Sequence, residues 1–327
     1  MTVNKWLRLA SLFAMLILAF ACKKDEEEDT NLYMKGALVA NVPSHLIAGE
    51  EITIKASGIT TPTDSLTYKW ITTGFSADSL FGHEITISAP EEPGNYAVAL
   101  YVTHPRYVSK TQNYNTIVLD PNSDDSFGGV VRGDDSIVDQ RDGKKYYYVT
   151  AGGLDWFAFN LNWKGAGKAY MLIDALGEIY GRLYSWEEAK SACPDGWRVP
   201  DNSDWESLAA AVAGANTPFD GKWSGLGAEL TVRATLNSIN MWKYSPNMNF
   251  KNMFGWNAIP SGNSTGNFRT YLNRGEYGVW WSADEKDAND AYYRYIYFDS
   301  PDFPYNYANK GSFGAAVRCV RDSAPEK

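Results

Sequence analysis

Between Glu50 and His104 apolar and polar residues alternate in four runs, EEITIKAS (50–57), SLTYKWITT (65–73), HEITISAP (83–90) and NYAVALYVTH (95–104), separated by Gly, Pro, Asp and Ser. Alternation with period 2 puts one face of each run in a core and the other in water, so the pattern predicts an antiparallel β-sandwich over residues 36–120. Beyond residue 130 the period changes. A hairpin is predicted first, with strands Tyr146–Thr150 and Trp156–Leu161 about a Gly152-Gly153 turn. Apolar positions then take helical spacing. Ser185 with Glu188 forms a capping box, Trp186, Ala189 and Cys193 fall on one face, and Pro194 and Gly196 stop the helix. Ser203 with Glu206 repeats the box ahead of the stripe Trp205, Leu208 and Val212, so two short helices are joined by a strand-like WRVP.

The first 21 residues read as an export signal: Lys5 and Arg8, then an apolar run from Leu9 to Phe20 that is too short for a permanent span, then small Ala19 and Ala21 at the junction. LAFAC (18–22) resembles a bacterial lipobox, which implies lipidation of Cys22; ordinary signal cleavage is the alternative. KKDEEED (23–29), within a tether spanning 22–35, is too charged to bury. It also resembles the export tag of surface lipoproteins of the Bacteroidota, which implies a surface-exposed position on the outer membrane through the lipid anchor. DPNSDDSFGG (120–129) lacks the glycine and glutamate of an EF-hand at its sixth and twelfth positions, Asp125 and Val131, and reads as part of a linker over 121–134.

A formal charge of -9 without a basic cluster argues against nucleic acid as a partner. Of three cysteines, Cys193 and Cys319 remain once Cys22 is assigned to lipid, and in an exported protein a disulfide is the economical reading of the pair. A Cys-His nucleophile is excluded because the second domain has no histidine, and His45, His83 and His104 are too scattered for a zinc site. No phosphate cradle, nucleophile elbow or zinc-helix motif occurs, so neither an enzyme nor a cofactor or metal is expected.

The strings DQRDGKKYYYVTAGGLDWFAFNLN, GRLYSWEEAKSACPDGWRVPDNSDWESL, GWNAIPSG, VWWSADE, AYYRYIYF and GSFGAAVRCVRD resemble the Fibrobacter succinogenes major paralogous (FISUMP) domain over residues 135–322, followed by a tail at 323–327. SWEEAKSAC with the final RCV also resembles the C-type lectin-like fold, which implies a disulfide from the first helix to the last strand, Cys193 to Cys319. Tyr68-Lys69-Trp70 and PEEPGNYAVALYVT (90–103) resemble Ig-like and PKD-like modules. The expected fold is therefore an Ig-like β-sandwich followed by an α+β C-type lectin-like domain. The tripeptides of calcium-dependent sugar binding are absent, and Asp284, Glu285, Asp287 and Asp290 of SADEKDANDAYY read as a solvated loop.

Ten of twelve tryptophans and fifteen of twenty-one tyrosines lie beyond residue 130, a supply of ring faces suited to sugar C–H groups. Trp156, Trp186, Trp197, Trp205, Trp256, Trp280 and Tyr292 fall at strand or helix positions and are assigned to packing. Candidates for a ligand surface are those in Gly/Asn/Pro-rich surroundings: Trp223, Trp242, Tyr244, Arg269, Tyr271, Tyr305 and Tyr307. The expected function is a cell-surface lipoprotein that binds extracellular carbohydrate through its second domain, the alternative being a protein-binding adhesion or fimbrial assembly subunit.

Overall fold

The computed structural model describes residues 31–213, 222–246 and 248–323. Cys22, the signal and most of the charged tether lie outside them. All four alternating runs are strands. Thr67–Ile71 pairs antiparallel with Gly94–His104, which pairs in turn with Tyr107–Leu119, in one sheet. Val39–Ala40, Glu51–Ser57 and Glu84–Ser88 form a second. Ile54 and Ala56 of one sheet meet Trp70, Val98, Leu100 and Val102 of the other in a shared core. Trp70 is fully buried, and its indole N–H donates to the Gly82 carbonyl at 2.9 Å.

The second unit is α+β. Ser136–Val138, Lys145–Ala151, Leu154–Phe157 and the final strand Val320–Asp322 form an antiparallel sheet. Tyr277–Glu285, Asp290–Tyr297 and Tyr305–Asn309 form another. Four helices accompany them among the described residues: α1 (Asp174–Tyr180), α2 (Trp186–Ala189), α3 (Asn202–Ala213) and α4 (Leu226–Leu230). Ser185 Oγ accepts from the Glu188 N–H and the Glu188 carboxylate accepts from the Ser185 N–H, so the first predicted box is present. Helix α2 is shorter than expected, however, ending at Ala189, and Cys193 follows in a bend. The second box is also displaced. Asp201 Oδ1 accepts from the Asp204 N–H at 3.0 Å and Asp204 Oδ2 from the Asp201 N–H at 2.8 Å, so two aspartates cap α3 in place of Ser203 and Glu206. Arg198 forks onto the Asp204 carboxylate and draws the cap toward the WRVP segment. WRVP itself makes a single antiparallel bridge, Arg198 to Val320.

Cys193 and Cys319 form a disulfide across 126 positions of sequence. Arg318, the residue before Cys319, is fully buried. Its guanidinium donates to the carbonyls of Phe157, Trp256 and Asn257 and to Asn160 Oδ1, and lies 4.0 Å from the centre of the Trp256 ring. Burial holds its pKa well below the ordinary guanidinium value.

Segment 121–134, expected as a linker, is folded against the second unit. Phe127 is buried, Phe127–Gly128 pairs with Thr235–Leu236, and Arg132 binds Asp124 and the carbonyls of Pro121 and Phe127. Its Asp and Ser residues close turns through their own backbone, which is why their abundance misreads as a solvated tether. Ile47, Ile117 and Leu119 of the first unit pack with Leu176, Ile179 and Leu183 of the second. Asn237 Nδ2 donates across the same seam to the Val118 carbonyl at 3.1 Å.

Replacing both Cys193 and Cys319 by Ser is expected to lower unfolding free energy by on the order of 4 kcal/mol in the chain-entropy picture, measured by denaturant unfolding under non-reducing conditions. Arg318→Ala, which strands three buried carbonyls and an amide oxygen, is expected to cost about 3 kcal/mol or more in the same assay.

Candidate functional site

The sheet Tyr277–Glu285, Asp290–Tyr297, Tyr305–Asn309 sorts its side chains by parity. Val279 stands opposite Tyr295 and Trp281 opposite Tyr293, so Tyr277, Val279, Trp281, Tyr293 and Tyr295 share one face, while Trp280, Arg294 and Ile296 share the other. Trp280 is core. Trp281 anchors the inner end of the first face by donating its indole N–H to the Tyr184 carbonyl at 2.7 Å. Half-buried rings extend outward from there. Phe313 lies 5.2 Å from Tyr293 and nearly parallel to it, Tyr293 lies 6.0 Å from Tyr295, and Tyr295 lies 6.0 Å from Tyr277. With Asn263, Asn273 and Asn306 these rings line a groove of about 260 Å³.

Asn263 and Asn273 are placed by a short hairpin, Asn263–Thr265 against Thr270–Leu272, and Asn306 by the edge strand, where it stands opposite Tyr293. Gly262 begins it at φ +70°, where a Cβ would come within 2.4 Å of the Leu272 carbonyl oxygen, so the close approach requires glycine. Asn273 Nδ2 then donates to Asn263 Oδ1 at 2.7 Å across the end of the groove. Ser264 exchanges backbone hydrogen bonds with Gly314, which fixes the neighbouring Phe313 ring as the wall.

No Asp, Glu, Lys, Arg or His lines the groove. Tyr293 and Tyr277 hold their protons: burial, with neighbouring Tyr295 and Tyr277 adding to it, pushes Tyr293 up to about 12, and burial raises Tyr277 in the same direction. The surface is therefore neutral, made of ring faces, phenolic hydroxyls and carboxamides. Such a surface stacks on apolar C–H faces and exchanges hydrogen bonds with hydroxyls; it supplies no nucleophile, general acid or base near neutral pH.

A family model described as the Fibrobacter succinogenes major domain matches residues 149–321. The protein belongs to that family. All the groove residues lie inside the matched Fibrobacter succinogenes major domain. No curated protein matches the chain. One solved structure, described as concerning "the promiscuous specificity of the carbohydrate-binding modules from the beta-sandwich super family", is 13% identical, with 91% of this chain and 94% of that chain covered, at a TM-score of 0.26. Overlap at that score carries no argument about fold or ligand.

The seven residues singled out in the sequence do not form one site, although Trp223 and Tyr305 both flank the Arg294 guanidinium and Trp242 and Tyr244 line a common hollow. Trp223, expected to be exposed, is 1% exposed, with Phe303 stacked on it and the Arg294 guanidinium 4.3 Å from its ring centre. Trp242, also expected at the surface, is 5% exposed in the core with Met248 and Trp256. In both cases Gly- and Asn-rich surroundings report an irregular backbone, not an outward side chain. Tyr271 is half-buried against Tyr170 at 5.4 Å. Tyr244 is 87% exposed, and Arg269 is exposed near the tip of the Asn263–Leu272 hairpin. Tyr305 and Tyr307 are exposed but stand opposite Arg294 and Tyr292, on the face of the sheet away from the groove. Tyr277, Tyr293, Tyr295, Phe313 and the three asparagines were missed. The signal for two of them was present, because tyrosine at every second position of AYYRYIY must line one side of a strand.

Among the described residues no three or more His, Cys, Asp or Glu gather as metal ligands. Asp284 accepts from the Asn202 N–H and Asp287 from the N–H groups of Asn289 and Asp290, so both close local structure.

A folded-state tyrosine pKa raised above the unfolded value of 10.0 contributes stability that is complete below pH 10 and lost as pH rises through the folded value. Melting temperature is therefore expected to fall between about pH 10 and 12, and absorbance titration of tyrosinate should lose a late step near 12 in Tyr293→Phe.

Proposed function

We propose that this protein is a non-catalytic carbohydrate-binding protein of the cell surface, and that a neutral glycan lies along the ring row Tyr277, Tyr295, Tyr293 and Phe313. The observation that carries this reading is the neutrality of the groove. A chain with formal charge -9 that leaves an aromatic, amide-rimmed hollow free of any charged side chain suits a ligand of hydroxyls and apolar ring faces. Sugar rings stack on the half-buried phenyl faces, and the hydroxyls of Tyr293 and Tyr295 with the carboxamides of Asn273 and Asn306 set their orientation. A C-type lectin-like frame is the reading best supported for the second unit, because a disulfide clamps the segment after α2 to the residue that leads into the last strand and that strand closes the sheet beside Leu154–Phe157. In this reading the first unit is an Ig-like spacer. The lipid anchor at Cys22 and the outer-membrane location rest on LAFAC and KKDEEED alone.

A second reading, a protein-binding adhesin, is favoured by one feature. The strand Tyr305–Asn309 is a sheet edge that exposes Tyr305 and Tyr307. A partner could add a strand there.

Affinity electrophoresis of the full chain through gels containing neutral polysaccharides separates the two. Retardation by at least one polysaccharide is expected, weakened about tenfold, roughly 1.4 kcal/mol, by Tyr293→Ala or Tyr295→Ala and unchanged by Tyr244→Ala or Tyr307→Ala. Absence of retardation on every polysaccharide, together with capture of a protein partner that survives glycosidase treatment and is lost in Tyr307→Ala, would favour the adhesin.

A further inference from the structure

A second hollow, of about 300 Å³, opens where the two units meet. His45 and Asn95 line it from the first unit, and Tyr180, Asn240 and Arg274 from the second, with Ile239 and Met241 among the apolar lining. Its electrostatics are the reverse of the groove's. Arg132, Arg141, Arg182, Arg198 and Arg321 each pair with an aspartate. Among the described residues no carboxylate pairs with Arg274, and no Asp or Glu lines the cleft. The guanidinium is half-buried and lies 5.1 Å from the Tyr170 ring centre and 5.5 Å from that of Tyr180. Those rings hold it in place without neutralising it.

We propose that this interdomain cleft binds an organic carboxylate, with Arg274 as the charge that receives it. A guanidinium offers two parallel N–H groups to a carboxylate, and the bond strengthens where walls exclude water. The apolar wall of Ile239 and Met241 takes the body of the ligand, and the volume limits it to a small molecule. The remaining polar groups agree with an anion. Burial raises the Tyr180 pKa, so its hydroxyl stays a donor. Burial first, and then the charge of Arg274, lowers the His45 pKa, so the imidazole is neutral at physiological pH and a bound anion would push it back up. The cleft is separate from the ring groove, and neither reading depends on the other.

Acetate, benzoate and glucuronate are titrated into the full chain beside their neutral counterparts acetamide, benzamide and glucose, with calorimetry and the His45 ring resonances as readouts. At least one carboxylate is expected to saturate below about 10 mM, with the affinity falling as salt is raised, while its neutral counterpart does not bind and the His45 titration midpoint moves up in the complex. Arg274→Gln should weaken binding at least tenfold. Asn240→Asp, an exposed position away from the tyrosine stack, should weaken it comparably by repulsion and covers the case in which Arg274→Gln fails to fold. Tyr293→Ala should leave it unchanged. Equal binding of a carboxylate and its neutral counterpart, indifference to both cleft variants, or no saturation by any of the three overturns the proposal.

Discussion

The fold of the second unit depends on a buried cation that has no counter-ion within its hydrogen-bonding reach. Arg318 is satisfied by carbonyls from Phe157, Trp256 and Asn257, by the Asn160 amide oxygen and by the Trp256 ring face. The acceptors come from two stretches far apart in the chain, Phe157 with Asn160 and Trp256 with Asn257. An unsatisfied guanidinium in a core would be prohibitively costly, so the arrangement is stable only when both stretches are in place together. Asn160 extends the constraint. The same oxygen accepts the Trp280 indole N–H at 2.8 Å, and its Nδ2 donates to the Tyr180 carbonyl at the end of α1. Gly181 follows at φ +76°, where a Cβ would come within 2.5 Å of the Asn160 Cβ, so α1 must end there in glycine.

The segment carrying Arg318 is a partition between two cores. Ala315, Val317 and Cys319 belong to one, with Trp186, Trp197 and Trp281; Ala316 and Val320 belong to the other, with Trp156, Trp256 and Trp280. Adjacent Trp280 and Trp281 divide in the same way, and Ala316 joins the two strings by exchanging backbone hydrogen bonds with Val279 and Trp281. The ring groove is the outward continuation of the Trp281 side. Its precision is inherited from the partition, because the strands bearing Tyr277 and Tyr293 cannot shift without moving a tryptophan on each face.

Much of this was legible in the chain and some was not, for identifiable reasons. Period-2 alternation located the strands of the first unit because each has one wet face. The cysteine pair was legible because three cysteines, one assigned to lipid, leave a single pairing. The cap of α3 was misread because Asp201 and Asp204 compete with Ser203 and Glu206, and only the tertiary contact from Arg198 decides between them. Trp223 and Trp242 were misplaced because loop composition says nothing of where a large side chain points. The groove itself was illegible as a unit: its walls come from three strands, a hairpin end and the Phe313 segment, separated by up to fifty positions of sequence, from Asn263 to Phe313.

The groove and the cleft meet at one turn. Asn273, at φ +64°, lines the groove, and Arg274, the next residue, lines the cleft. The turn is held from three sides. Gly275 N–H donates to the Pro260 carbonyl, Lys243 N–H donates to the Gly275 carbonyl, and the Asn273 carbonyl accepts from both Glu276 and Tyr277. Backbone bonds of this density leave the two side chains little freedom beyond their own rotamers. Asn273 is left-handed and residues 274–276 turn before the strand resumes at Tyr277, and the side chains of Asn273 and Arg274 line different hollows, so a single local conformation delivers a neutral amide to one and a cation to the other. The chemical difference between the two hollows is therefore encoded in adjacent residues, and the rigidity of the turn is what keeps the charge of Arg274 out of the groove.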